Sequence, residues 1–522
     1  MSALSPAADA VVVGSGFGGS IAACRLAQAG RSVVVLERGR RYGPQDFPRD
    51  VTDTDALLWR HENRRKATGL YDVRFFSALG CVVAAGVGGG SLVYANVHIR
   101  PDPAVFDDPR WPEGTNRVSL DPYYQRVADM FAVAPLPASI RLAKRDAFHS
   151  AASRLGRECF DPDAAVHWPQ PPDPPTSRGT CQLVAECELG CRFGAKRSAD
   201  TTYLAEAERC GARVWPGQVV VELRRCSDGY EVRHRDVGTG AEHVTVGRRV
   251  VLAAGTLGTS ELLLRCRDQL RSLPQLSPIL GQGFSANGDF LGSVSNAKAD
   301  LAPDRGPDVT SVMRFCDQAP EFTLAAPTFH APVMKALAAM GRPSAGLPRP
   351  VALLLWRLLP ALVPWAFAHG VLSRSALAAS GDPGWRRSTN LIAIGRDNAG
   401  GRLHLTRRGL DVRWNYRTDN AELIDRIERA MAEVSGCYGG TFTPNMFWKV
   451  FRRIFTVHPL GGCRIAESPA QGVVSPVGEV HGYPGLFIAD GSVVPTALGF
   501  HPAMTISALA ERTAAAVVAD SS

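Results

Sequence analysis

Residues 9–37 read DAVVVGSGFGGSIAACRLAQAGRSVVVLE, and the fold turns on this stretch. Ala10 to Val13 form a short β-branched run, as a strand buried on both faces requires. Gly14, Gly16 and Gly19 follow in GxGxxG spacing and open a helix of small apolar residues. Gly30 ends that helix before a second strand, Val33 to Leu36. This spacing predicts a dinucleotide-binding strand–turn–helix–strand unit. Gly14 makes the turn, Gly16 lets the backbone approach a pyrophosphate, and Gly19 lets helix and strand pack closely. The helix N-terminus adds unpaired N–H groups and a positive potential for the phosphates. Glu37, at the end of the second strand, is placed for ribose hydroxyls. The fingerprint alone does not separate FAD from NAD.

Farther along, two more pieces have the same character. RRVVLAAGTLGTSELLLRC at 248–266 is a buried strand entering a helix. GLFIADGSVVP at 485–495 precedes an Ala-rich helix around 503–518. Between them the pattern changes. Residues 160–180 are rich in Pro and Asp and predict an irregular surface loop. Residues 390–415 alternate in period two around DNAGG and predict an antiparallel hairpin. Nucleotide-binding pieces at the start, middle and end thus enclose antiparallel material. The expected architecture is one α/β domain built from separated segments, with an α+β domain inserted into it.

At 522 residues the chain exceeds a usual single domain. Its 45% hydrophobic and 21% charged composition is that of a globular protein. The net charge of +8 is scattered. Its densest runs, RHENRRK at 60–66 and FRRIF at 451–455, lack the stacking aromatics of a nucleic-acid surface, so no nucleic-acid partner is expected. The N-terminus shows no signal-peptide pattern, and the twelve cysteines form no paired framework. Reduced thiols in a cytoplasmic protein follow. Cys181, Cys187 and Cys191 match no zinc or iron–sulfur spacing, and no metal site is expected. The most apolar stretch, 351–372, is interrupted by Arg357, Pro360, Pro364 and His369, which suits a membrane span poorly. It reads as a buried helix pair or lid, or else as a surface helix making peripheral membrane contact.

Two features favour FAD: the glycine cluster AAGVGGGSLVYANV at 84–97, and the acidic turn ADGSVVP at 489–495. With GVGGGSLV, LAAGTLGTSELL, HPLGGC near 460 and IADGSVVPTALGFHPAMTISALAER in this order, the chain resembles the glucose–methanol–choline oxidoreductases, in their cholesterol oxidase-like branch. SPILGQGFSANGDFLG at 277–292 and LDPYYQRVADMFAV at 120–133 extend the resemblance over nearly the whole chain. It implies a Rossmann-like FAD-binding domain from residues 1–105, 195–290 and 455–522, connecting and lid segments at 106–194, and a substrate domain on an antiparallel sheet at 291–454. It implies FAD contacts at Gly14, Gly16, Gly19 and Glu37, at Gly89 to Val97, and at Val219, Ala253, Ala254 and Asp490. Ser15, Phe17, Gly18, Ser91, Tyr94, Asn96 and Pro502 belong to the same expected set.

The resemblance further implies alcohol oxidation by hydride transfer to flavin under a histidine pair, here His458 and His501. A neutral imidazole near working pH suits removal of the hydroxyl proton, and His458 or His501 is the expected base, with His458 favoured. His501 stands where the branch typically has Asn, and Leu324 stands where it carries an isomerising glutamate, with Glu321 only nearby. The expected reaction is oxidation of a small lipophilic alcohol, sterol- or terpenoid-like, to its carbonyl, with O2 or another electron acceptor. Alternatives are an oxidative step on a natural-product intermediate, or a non-catalytic flavin- or lipid-binding protein.

Overall fold

Strand β1 (Ser5–Val13) buries Ala10, Val11, Val12 and Val13 almost completely, which is why it carries apolar residues without alternation. It pairs in parallel with β2 (Val33–Glu37) on one side and β9 (Glu242–Leu252) on the other. β6 (Arg213–Pro216) adds beyond β2, and β19 (Leu486–Ile488) pairs with the C-terminal end of β9, both in parallel. β7 (Gln218–Cys226) and β8 (Gly229–Asp236) extend from the other end of β9 as an antiparallel pair, giving seven strands. The helices Phe17–Gln28 and Ala503–Ala519 pack against each other on this sheet. One sheet is therefore built from chain segments hundreds of residues apart. The computed structural model describes residues 5–49, 53–59, 68–169, 179–331, 334, 349–368 and 383–520. The basic run 60–66 lies outside the described residues.

A second sheet is antiparallel. Its order is β17 (Thr441–Pro444), β11 (Phe290–Ser295), β14 (Thr389–Gly395), β13 (Phe322–Ala325), β12 (Val312–Phe315) and β5 (Cys159–Phe160). The helix Ala421–Cys437 covers it with Leu423, Ile427, Met431 and Val434, spaced to share one buried face. Leu324 on β13 is fully buried in the core, and Glu321 is paired with Arg396 at 3.1 Å. Neither lines the large cavity described below.

Three expectations need correction. The hairpin across DNAGG does not form. β14 stays in the antiparallel sheet, while β15 (Gly401–Thr406) joins β10 (Gln282–Phe284) and β16 (Gly409–Arg413) in a third sheet. The cause is Asp397, whose carboxylate accepts from Ser285 Oγ, Ala286 N, Gly288 N and Ala399 N and turns the chain from one sheet to the other. The stretch after 160 is irregular but not superficial: Ala164, Val166 and Trp168 are buried against Leu136 and Ile140. Residues 170–178 lie outside the described residues.

The third correction concerns 351–372. It is neither a helix pair nor buried as a whole: residues Arg349–Ala368 form one helix, and 369–372 lie outside the described residues. Trp356 is its buried anchor, packed on Phe75, Phe447, Phe451 and Phe455, with its indole donating to Phe76 O at 2.9 Å. Val351, Leu353, Leu354, Leu358 and Leu362 remain exposed, by 37% to 59%. Among the described residues, no helix is long and apolar enough to cross a membrane. Phe75 and Phe455 belong to a small sheet of β3 (Tyr71–Phe75), β4 (Gly80–Ala84) and β18 (Phe455–Thr456), which brings the segment before His458 onto the N-terminal part.

Candidate active site

β18 ends at Thr456 and β11 begins at Phe290, so Thr456 to His458 meet Asp289 at the junction of two sheets. Asp289 Oδ2 accepts from Thr456 Oγ1 (2.9 Å), Val457 N (2.9 Å) and His458 N (3.2 Å). Its Oδ1 lies 2.8 Å from His458 Nδ1. A carboxylate offers no proton, so Nδ1–H donates and Nε2 keeps its lone pair. His501 faces His458 with ring centroids 5.5 Å apart and planes at 78°.

The same turn that supplies Asp289 positions His501. Asn287 donates through Nδ2 to Phe500 O (2.9 Å) and accepts at Oδ1 from Leu498 N (2.8 Å) and Gly499 N (3.2 Å). Thr323 Oγ1 adds a bond to Gly499 O at 2.9 Å. Asp397, braced on that turn by four donors, has its carboxyl pushed up to about 6 by burial. His501 is buried, and burial together with the charge His458 would carry pulls its imidazole down to about 3. It is neutral at any physiological pH. Its Nδ1 has no partner among the described residues.

Both histidines line a cavity of about 1580 Å3. An ordinary small-ligand pocket measures about 300–1,000 Å3, so this one has room for a dinucleotide and a second molecule. Of the expected cofactor residues, Gly14, Ser15, Gly16, Phe17, Gly18, Glu37, Gly89, Tyr94, Val97, Val219, Ala253, Ala254, Asp490 and Pro502 line it. Gly19, Ser91 and Asn96 do not. Gly19 packs behind the turn, where a Cβ would come within 2.0 Å of Gly14 O. Ser91 joins two loops by donating to Gly88 O and accepting from Ala199 N. Asn96 is fully buried beside the lining residues Ala95 and Val97, and its amide nitrogen and oxygen have no partner among the described residues.

The glycine cradle has the shape a pyrophosphate needs. Gly14 has φ +94°, and Gly18 lies so close to the Ala489 carbonyl that a Cβ would stand 1.4 Å from its oxygen. Gly16 and Gly90 are open instead. A Cβ at Gly16 would meet nothing closer than 3.8 Å, and one at Gly90 nothing within 4 Å. The first intrahelical bond is Ser20 N to Gly16 O, leaving the N–H groups of Phe17 to Gly19 without intrahelical acceptors. Glu37 accepts from Ser15 N (3.0 Å), Ser15 Oγ (2.7 Å) and Gly39 N (2.8 Å). Asp490 ties the later turn, accepting from Gly255 N, Thr259 Oγ1, Ser492 N and Ser492 Oγ. The open cradle at Gly16 and Gly90 and the N–H groups of Phe17 and Gly18, all on the cavity lining, fit a bound dinucleotide.

Sequence reading missed Asp289 and Asn287. Both stand in the quoted stretch 277–292, but nothing local shows that an acid there meets a histidine 169 residues away.

A largely parallel sheet whose glycine turn opens on the same cavity as paired imidazoles is the arrangement of an oxidoreductase. Family comparison agrees. The N-terminal GMC oxidoreductase model matches residues 9–267, and the C-terminal GMC oxidoreductase model matches residues 401–510. A cholesterol oxidase of Acinetobacter baumannii is 30% identical over 97% of this chain and 93% of its own length. One of Mycobacterium tuberculosis is 30% identical over 98% and 91%. A long-chain-alcohol oxidase of Arabidopsis thaliana is 26% identical over 96% and 66%. Among solved structures, pyridoxine 4-oxidase from Mesorbium loti superposes with TM-score 0.65 at 17% identity, covering 97% of this chain and 98% of that one. The chain belongs to the GMC oxidoreductase family, and is an oxidoreductase of the flavin-dependent, alcohol-oxidising kind.

Proposed function

We propose that this protein oxidises a lipophilic, sterol- or terpenoid-like alcohol to its carbonyl, with FAD held along the glycine cradle and His458 as the base. The observation that carries this reading is the Asp289-held His458 facing His501 on the cavity that the cradle also lines. Gly14 to Gly18 and Gly89 would hold the pyrophosphate, Glu37 the ribose, Val219 the adenine, and the backbone around Tyr94, Asn96 and Val97 the ring system. When bound, FAD supplies the hydride acceptor.

The chain's own part is proton management. Hydride leaves a carbinol carbon readily only as the hydroxyl proton is removed, and Nε2 of His458 is the free lone pair for that proton. The carboxylate of Asp289 stabilises the imidazolium as it forms and keeps the ring from rotating. Neutral His501 orients the alcohol oxygen and stabilises its developing negative charge.

Phe75, Leu291, Ile392, Trp356 and Phe455 line the cavity and favour an apolar substrate body. The names of the cholesterol and long-chain-alcohol oxidase relatives support the same substrate class. The exposed leucines of the helix Arg349–Ala368 lie beside Trp356 and Leu358, which also line the cavity, so a membrane surface could deliver such an alcohol there. A cytoplasmic protein that touches a membrane peripherally through this helix is part of the same proposal. The test is a panel of sterols, terpenoid and long-chain alcohols, scored by flavin reduction without oxygen and then by peroxide with it. Reduction by none of them would overturn the reading, and peroxide formation would identify O2 as the acceptor.

A further inference from the structure

Away from the histidines, the cavity wall carries two acids for which the chemistry above has no use. Glu188 and Asp308 line the cavity, close enough for each carboxyl to shift the titration of the other. Two buried carboxyls so close do not both ionise readily, so one retains a proton. Burial raises both, and the neighbouring charge of Asp308 raises Glu188 further, so Glu188 is raised the more strongly. Asp308 is completely buried. Its Oδ1 accepts from Thr328 N at 3.0 Å, whereas Oδ2 has no hydrogen-bond partner among the described residues.

Two ammonium groups stand behind the pair without neutralising it directly. Lys144 Nζ donates to the carbonyls of Asp308 (3.0 Å) and Ala326 (2.5 Å) and to Thr328 Oγ1. Lys196 Nζ donates to the carbonyls of Leu92 (3.0 Å), Tyr94 (2.7 Å) and Cys187 (2.8 Å). Burial lowers these groups to about 7 and about 8. β3 gives the scale of the cavity between the acids and the histidines. Tyr71, at its start, donates to the Glu188 carbonyl, while Phe75, at its end, packs on Phe455 at 5.4 Å, just ahead of His458. At a strand's rise per residue the two positions are about 13 Å apart. Tyr71, Val73 and Phe75 share one face of the strand and line the cavity between.

We propose that Glu188 and Asp308 form a second polar anchor, reading a hydroxyl group at the end of the substrate remote from the carbinol that is oxidised. This rests on the assignment of the cavity to a lipophilic alcohol. Asp308 Oδ2, buried on the cavity wall and without a hydrogen-bond partner among the described residues, is an acceptor for the proton of a substrate hydroxyl. The lysines disfavour a cationic amine there, and the retained negative charge disfavours a carboxylate. The substrate class is therefore a lipophilic diol or hydroxylated polycycle rather than a simple mono-alcohol. A ligand without that oxygen leaves buried polar groups unpaired, which is how such a site discriminates.

The test compares 5α-androstan-3β-ol with 5α-androstane-3β,17β-diol, and 1-dodecanol with 1,12-dodecanediol. Dissociation constants are measured by equilibrium dialysis on the anaerobic holoenzyme and on its Asp308→Asn and Glu188→Gln variants. Preferences are compared within each protein, so a general loss of affinity cancels. The expected result is a diol at least about 10-fold tighter than its mono-alcohol in one of the pairs. That preference should shrink to roughly 3-fold or less in both variants. The absence of any diol preference in the wild type, or a preference that survives both substitutions, overturns the proposal. Flavin reduction is scored separately. Diol preference without reduction would sink the alcohol-oxidation reading alone, and reduction without diol preference would sink the second anchor alone.

Discussion

Nδ1 of His458 lies 2.8 Å from Oδ1 of Asp289, and this contact fixes which nitrogen of the imidazole faces the cavity with a free lone pair. The other carboxylate oxygen is already occupied by Thr456 Oγ1 and two backbone N–H groups. In Asp289→Asn the single amide oxygen must keep those donors, so the NH2 turns toward Nδ1 and the ring proton moves to Nε2. Anaerobic flavin reduction should fall by about 10²-fold or more, with flavin content retained. A rate close to wild type would show that Asp289 is not what sets the tautomer.

The glycine cradle separates folding from binding. Gly18→Ala should fail to give folded protein, because its Cβ would stand 1.4 Å from Ala489 O. Gly16→Ala has no such clash, with its nearest neighbour at 3.8 Å, yet it narrows the approach to the pyrophosphate. It should fold with wild-type circular dichroism and bind FAD about 10-fold or more weakly. Tight FAD binding by a folded Gly16→Ala protein would place the phosphates elsewhere.

His501 gives the protein an acid-sensitive term. Burial lowers it to about 3 in the folded chain from its ordinary 6.5, so the unfolded chain binds a proton first as pH falls. The stability it contributes is intact above pH 6.5 and is lost as pH falls toward 3. Between pH 7.5 and pH 5 that loss is about 2 kcal/mol. Urea denaturation at the two pH values should show a drop smaller by about that amount in His501→Asn. His98 and His234, lowered to about 3 and about 4 by burial, act in the same direction in both proteins and cancel. An unchanged pH dependence would mean that His501 is not buried as described.

The helix Arg349–Ala368 presents Leu354 and Leu358 at 59% and 44% exposure. If it seats on a membrane, replacing both by Ser should weaken liposome binding by about 10-fold or more while leaving the Trp356 anchor in place. Wild-type protein that does not sediment with liposomes at all would remove this contact.

What could be read from sequence follows from how local each feature is. The strand–glycine–helix unit at 9–37 announces itself because turn, helix start and acidic strand end all lie within one segment. His458 and His501 were nameable through their motifs. The residues that orient them were not, since Asp289 and Asn287 act across 169 and more than 200 positions of chain. The DNAGG hairpin was misread for a similar reason. Period-two alternation specifies strands but not partners, and the buried Asp397 decides the pairing through residues 109 to 112 positions away. The apolar run at 351–372 shows the same limit, because hydropathy cannot tell that one tryptophan anchors the helix while its leucines face outward.

The most direct measurement is stopped-flow flavin reduction, without oxygen, by an alcohol that the wild type oxidises, in His458→Ala and His501→Ala. Both variants should keep their flavin. His458→Ala should reduce it about 10²- to 10⁴-fold more slowly, with a smaller loss for His501→Ala. If both variants reduced their flavin at the wild-type rate, the histidine pair would not be the proton acceptor.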